Sequence, residues 1–91
     1  LMEGAAPEEI QRPVRAAIAE VSREVGLGEP LLRIAKLGSK IYVEVDYLVE
    51  PGRWDTSDED RVRHGLNERL HDLPYVFWLN VALTTDPALL E

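Results

Sequence analysis

Apolar positions along this chain follow two periods in turn, and each switch marks an element. Ile10, Val14, Ala17, Ile18, Val21 and Val25 recur at steps of three and four, which is one face of an amphipathic helix. Glu9, Arg12, Arg15, Glu20 and Arg23 take the opposite face. The spacing predicts a helix over residues 8–25. Its first turn is imperfect at Pro13, which brings no N–H and crowds the turn before it. Gly26 is placed to end the helix in a left-handed conformation, and Pro30 completes the connection.

The period then drops to two. Two runs rich in apolar and β-branched residues flank Gly38-Ser39, and a two-residue loop with Gly first is the signature of a type II′ hairpin. That turn fixes the register. Leu37 faces Lys40, Ala35 faces Tyr42, Arg33 faces Glu44 and Leu31 faces Asp46. On the other side Lys36 pairs with Ile41, Ile34 with Val43 and Leu32 with Val45. The face carrying Ile41, Val43, Val45, Tyr47 and Val49 belongs to the core. The face carrying Tyr42, Glu44, Asp46 and Leu48 is mixed. Pro51-Gly52 stops the second strand.

Helical spacing returns with Val62, Leu66, Leu70 and Leu73. Thr56 and Glu59 have the spacing of a capping box, Asp55, Asp58, Glu59 and Asp60 favour the positive end of the helix dipole, and Pro74 terminates the helix with His71 in its last turn. Residues 75–84 read as a third strand, with Phe77, Leu79, Val81 and Leu83 inward and Val76, Trp78, Asn80 and Ala82 outward. Residues 1–7 are expected to be a disordered N-terminal segment or a cloning boundary of a longer parent. Residues 8–87 form one domain, and residues 88–91 a tail.

The element order is α-β-β-α-β. A right-handed parallel crossover from the second strand to the third makes a three-stranded mixed sheet with both helices on one face. This is an α+β fold, a ferredoxin-like sandwich lacking its first strand. The other sheet face is left bare, and Tyr42, Glu44, Leu48, Trp78 and Asn80 are expected to form a homodimer interface there.

Charge and composition narrow the functions. A formal net charge of −7 argues against nucleic-acid binding, which needs a basic patch. With no cysteine, disulfides, thiolate metal sites and cysteine nucleophiles are excluded. No catalytic triad context, glycine-rich phosphate loop or HExxH motif occurs, so no enzyme activity is expected. Candidate metal ligands remain. Asp60 and His64 lie four apart on one helix face. His71-Asp72 sits at the helix end, where dipole compensation also accounts for the histidine. Glu44 and Asp46 share a strand face, and together could hold a hard cation. Arg33, opposite Glu44, accounts for one of those two carboxylates by a cross-strand pair. Trp54 in the Pro51–Trp54 loop reads as a plug over a sheet edge or helix end.

The string from Arg33 to Asp46, Arg-Ile-Ala-Lys-Leu-Gly-Ser-Lys-Ile-Tyr-Val-Glu-Val-Asp, resembles the C-terminal cytoplasmic domain of the cation diffusion facilitator family. The likeness extends over roughly residues 8–87 through the capped helix at Asp58–Leu70 and the last strand. It implies a dimerising, metal-responsive regulatory domain of a zinc-type divalent-cation efflux transporter. The partners it implies are a second copy, divalent metal ions and a membrane-embedded transport domain of the same parent chain. The domain would sit at the cytoplasmic face of the cell membrane, and this fragment would be soluble. Carried over by position, the family's strand histidine falls on Asp46 and its helix histidine near Asp60. The remaining ligand positions fall near Pro30 and on Asn80 and Ala82, so the family's histidine-rich site is absent. The resemblance leaves a metal held through Asp46, Asp60 and His64, with His71 contributing, or a metal-independent dimerisation module. An ACT-like small-ligand regulatory domain is the alternative from a different class.

Overall fold

The computed structural model describes residues 4–90. Strand β1 (Gly4–Ala5) leads into helix α1 (Glu8–Val25). The hairpin β2 (Leu31–Leu37) and β3 (Lys40–Leu48) comes next. Helix α2 (Thr56–Leu70), strand β4 (Val76–Thr84) and a single 3₁₀ turn (Pro87–Leu90) complete the chain. The fold is α+β, with two helices and one mixed sheet in the order β1-β2-β3-β4.

The hairpin has the register that its turn dictates, pair for pair from Leu31–Asp46 to Leu37–Lys40. Gly38 takes a φ of 62° and Ser39 does not turn positive, as a type II′ turn requires. Strand β4 runs parallel to β3, so α2 is the crossover between them. Four strands replace the expected three. Gly4 and Ala5 pair with Lys36 and Ala35, and the Ala6 N–H donates to Ile34 O at 3.3 Å. Ala6 is buried among the core residues. Of the expected N-terminal segment, Gly4 and Ala5 thus form a strand of the sheet, and residues 1–3 lie outside the described residues. At the other end, most of the expected tail is the 3₁₀ turn, begun by Asp86, whose carboxylate accepts from Ala88 N–H at 3.0 Å.

One core lies between helices and sheet. From α1 it takes Ile10, Val14, Ala17, Ile18 and Val21, and from α2 Val62, Leu66 and Leu70. The strands add Ile34, Ile41, Val43, Val45, Tyr47 and Val81, with Phe77, Leu79 and Leu83 packed at the margin. Helix α1 tolerates Pro13 within an unbroken span, and Gly26 ends it with a φ of 89° while its N–H and that of Leu27 satisfy Ser22 O. The two helices approach closely because Gly65 lacks a side chain. A Cβ there would come within 3.2 Å of Val21 Cγ2, so the valine side chain would have to give by a few tenths of an ångström. Arg69 of α2 reaches across to both Glu20 and Glu24 of α1.

The start of α2 differs from expectation by one residue. Asp55, not Thr56, is the cap; it accepts from Ser57 and Asp58 N–H, while the Asp58 carboxylate accepts from Asp55 N–H. Asp55 and Thr56 are both good caps, but Asp55 brings a full charge to the positive helix end. Hydrogen bonds from the Ser57 hydroxyl and Asp58 N–H hold the Asp55 carboxyl below its ordinary range. The helix also stops earlier than expected. His71 is its C-terminal cap, and Leu73 packs on the core from outside the helix.

Among the described residues, the core holds two hydroxyls, those of Ser22 and Tyr47, and both are partnered. Ser22 Oγ donates to Ile18 O at 2.7 Å, and the Tyr47 hydroxyl lies 2.7 Å from the same Ser22 Oγ. With its own proton committed to Ile18, Ser22 accepts from Tyr47. Burial pushes the Tyr47 hydroxyl pKa up, and the Ser22 hydrogen bond offsets part of that rise.

Candidate functional site

Strand alternation sends every second side chain of the sheet away from the helices. The resulting open face is organised in rows across β2, β3 and β4. Leu37, Lys40 and Val76 form one row, and Ala35, Tyr42 and Trp78 the next. Arg33, Glu44 and Asn80 form the third, and Leu31, Asp46 and Ala82 the fourth.

The second row is aromatic. Tyr42 and Trp78 sit side by side at 5.0 Å between ring centroids with planes tilted by 57°. Lys40 Nζ lies 4.5 Å from the Trp78 ring centroid, a cation–π contact. Trp78 remains 48% exposed, and Val76, Leu31 and Leu48 are each more than half exposed. Ala35, which shares this face, is buried at the position where β1 pairs alongside β2. Large apolar groups held open in a small domain are the physical mark of a contact surface.

The third and fourth rows hold the charges. Arg33 Nη1 lies 3.6 Å from Glu44 Oε1, the cross-strand pair expected from register. Asp46, half-buried, makes no hydrogen bond or ion pair with another described residue. It borders a shallow depression of about 470 Å³ whose far wall is Leu89 and Leu90 of the 3₁₀ turn. Those two leucines are absent from the sequence reading, which ended the domain before them. The signal was Asp86-Pro87, a turn starter followed by an apolar pair.

The sequence matches no family model, no curated protein and no solved structure. The site must therefore be judged on its geometry.

That geometry divides the candidate ligands. Asp46 points out of the open face, whereas Asp60, His64 and His71 belong to α2, which packs on the opposite face. The sheet and the core stand between them, so Asp46 does not meet Asp60 or His64 within one copy. Asp60 is also engaged: Arg63 Nη1 donates to it at 2.9 Å. His64 and His71 are exposed on α2 and its cap. Among the described residues no group of three or more His, Cys, Asp or Glu side chains converges as a metal site. The five expected interface residues, by contrast, all lie on the open face. Trp54 is half-buried beside Arg53, whose guanidinium carbon is 5.2 Å from its ring centroid. Among the described residues no helix is long and apolar enough to cross a membrane.

Proposed function

We propose that this chain is a dimerisation domain whose open sheet face joins a second copy, and that it serves as the cytosolic regulatory domain of a divalent-cation efflux transporter. The observation that carries the first half is the Lys40–Tyr42–Trp78 cluster, an exposed tryptophan fixed on a rigid sheet between apolar neighbours. Aromatic anchors of this kind, rimmed by charge, dominate protein interfaces. The second half rests on the resemblance described above. It is supported by the α1-β2-β3-α2-β4 order, the parallel β3–β4 pair and two helices on one face, which the resemblance leads one to expect and to which β1 adds a fourth strand.

The separation of Asp46 from the α2 ligands favours the metal-independent form of this reading. The domain then holds two transporter subunits together rather than sensing the cargo. Sedimentation equilibrium tests the dimer and its independence of metal. Wild type is expected to be a dimer with or without zinc chloride, and Trp78→Glu a folded monomer. A Trp78→Glu variant that sediments as the same dimer would place the interface elsewhere. A dimer that forms only with zinc, and calorimetric heat lost in Asp46→Ala, would restore the metal-responsive form. The transporter assignment fails if the parent gene joins this domain to a catalytic domain instead of roughly six apolar spans of ~20 residues.

A further inference from the structure

A second concavity lies away from the open face. It is a groove of about 720 Å³ between α1 and the outer edge of β2. Ile18 and Ala19 of α1, Leu27 beyond the helix end and Leu32 of β2 are its apolar lining.

Register shows what that edge offers. The pair flanking a two-residue hairpin turn, Leu37 and Lys40, is hydrogen-bonded, so alternate pairs down the ladder are not. Leu32–Val45 is one of the latter, and the Leu32 N–H and C=O therefore point outward, away from β3. The same parity turns Ile34 O outward, where it receives Ala6 N–H. Among the described residues β1 pairs with Lys36 and Ala35, Ala6 reaches Ile34, and the chain then turns into α1 before Leu32. Leu32 is thus left with an outward donor and acceptor beside an apolar groove, an arrangement that takes up an extended chain.

Charge selects the kind of chain. Glu20 and Glu24 of α1 are turned to the other flank, where Arg69 engages them. The groove flank carries Arg15 and Arg23. Arg15 is held in place, since its Nε and Nη2 donate to Gln11 Oε1 at 3.3 and 3.1 Å while Gln11 Nε2 donates to Ala6 O at 2.7 Å. Its Nη1 is left for a ligand. Arg23 makes no hydrogen bond or ion pair with another described residue. Glu29 is the one acid on the lining. In a chain of net charge −7, a groove with two arginines to one glutamate is a local exception.

We infer that this groove binds an extended acidic peptide that adds to the edge of β2. Its backbone pairs with Leu32, an apolar side chain enters between Ile18 and Leu32, and a carboxylate reaches Arg15. The site is separate from the open sheet face, so one copy can dimerise and hold such a segment together.

The test is NMR titration of the ¹⁵N-labelled chain with acetyl-(Glu-Val)₃-amide. Saturable shifts are expected at the Leu31–Arg33 amides and along residues 15–23 of α1, with a Kd on the order of 0.1–1 mM for so short a probe. Arg15→Glu with Arg23→Glu, both at exposed positions, should weaken binding about tenfold, and raised salt should weaken it too. A peptide N-methylated at alternate residues cannot donate to the edge and should lose binding, with the protein left unaltered. The inference is overturned if the lysine counterpart binds equally well, or if the shifts fall on Tyr42 and Trp78. It also fails if the Leu32 amide does not move while the arginines do, because that is charge contact without strand pairing.

Discussion

Neighbouring residues of β3 live in two environments. Ile41, Val43, Val45 and Tyr47 are at most 1% exposed, sealed under α1 and α2. Tyr42, Glu44 and Asp46 alternate with them and are only half-buried, and Leu48 beyond them is 52% exposed. The two faces share a backbone, a register and a twist, so what differs is only what covers them. The inner face carries the stability, because that is where apolar area leaves water. The outer face is paired and rigid but spends little on folding, which leaves Trp78 and Tyr42 available for a partner. A rigid sheet with one uncommitted face can present side chains without the cost of ordering them on binding.

The sharpest way to break this comparison is to truncate one residue on the covered face. Ile41→Ala should cost about 2–5 kcal/mol, since a buried aliphatic group is lost and a cavity left. In a domain whose total stability is on the order of 5–15 kcal/mol, that is a large part of the whole. Urea unfolding should show a lower midpoint with an unchanged slope. A cost under about 1 kcal/mol would mean that the helix layer is loosely packed and that the contrast between the faces is overstated.

A gentler probe removes one oxygen from the same face. Tyr47→Phe deletes the hydroxyl that donates to Ser22 while keeping the ring in place. The expected loss is about 1 kcal/mol, the usual net value of such a bond. The pH dependence carries the sign. Burial raises the Tyr47 pKa in the folded state, so folding favours the protonated hydroxyl. The stability this provides is complete below the ordinary tyrosine pKa of about 10 and falls as pH rises toward the folded value. Thermal melts from pH 8 to 11 should therefore decline more steeply for wild type than for Tyr47→Phe. Parallel declines would show that Tyr47 is not sealed.

The two faces were also legible to different degrees from the sequence. Gly38-Ser39 determines the hairpin register, and period two then divides β3 and β4 correctly into inner and outer sets. Strand β1 was not legible, because Gly4 and Ala5 are too few to show a period and pair through backbone alone. The α2 cap was ambiguous, since Asp55 and Thr56 can both cap, and Asp58 and Glu59 can both close the box. The open face is legible from alternation alone. Spacing places Asp60 and His64 on one helix face, and alternation turns Asp46 away from both helices. How such groups stand to one another across a sheet is a matter of layering, which periods do not record. The groove at Leu32 was missed for a related reason: an open strand edge is a property of sheet order, which no local pattern records.

The smallest expected effect sharpens the comparison from the outer side. Glu44 neighbours Val43 and Val45 in the chain but faces Arg33 across the open surface at 3.6 Å, with both side chains more than 40% exposed. Solvent screens such a pair, and holding two flexible side chains together offsets most of the attraction. Glu44→Ala should therefore change the unfolding free energy of the monomer, measured in the Trp78→Glu background, by about 0.5 kcal/mol or less. In the wild-type background the same substitution lies within the proposed interface, where desolvation strengthens charge interactions. The dimer dissociation constant should then move by more than the monomer's stability does. Equal changes in both backgrounds would mean that Glu44 stays in water when two copies meet, and would confine the interface to the Tyr42–Trp78 end of the face.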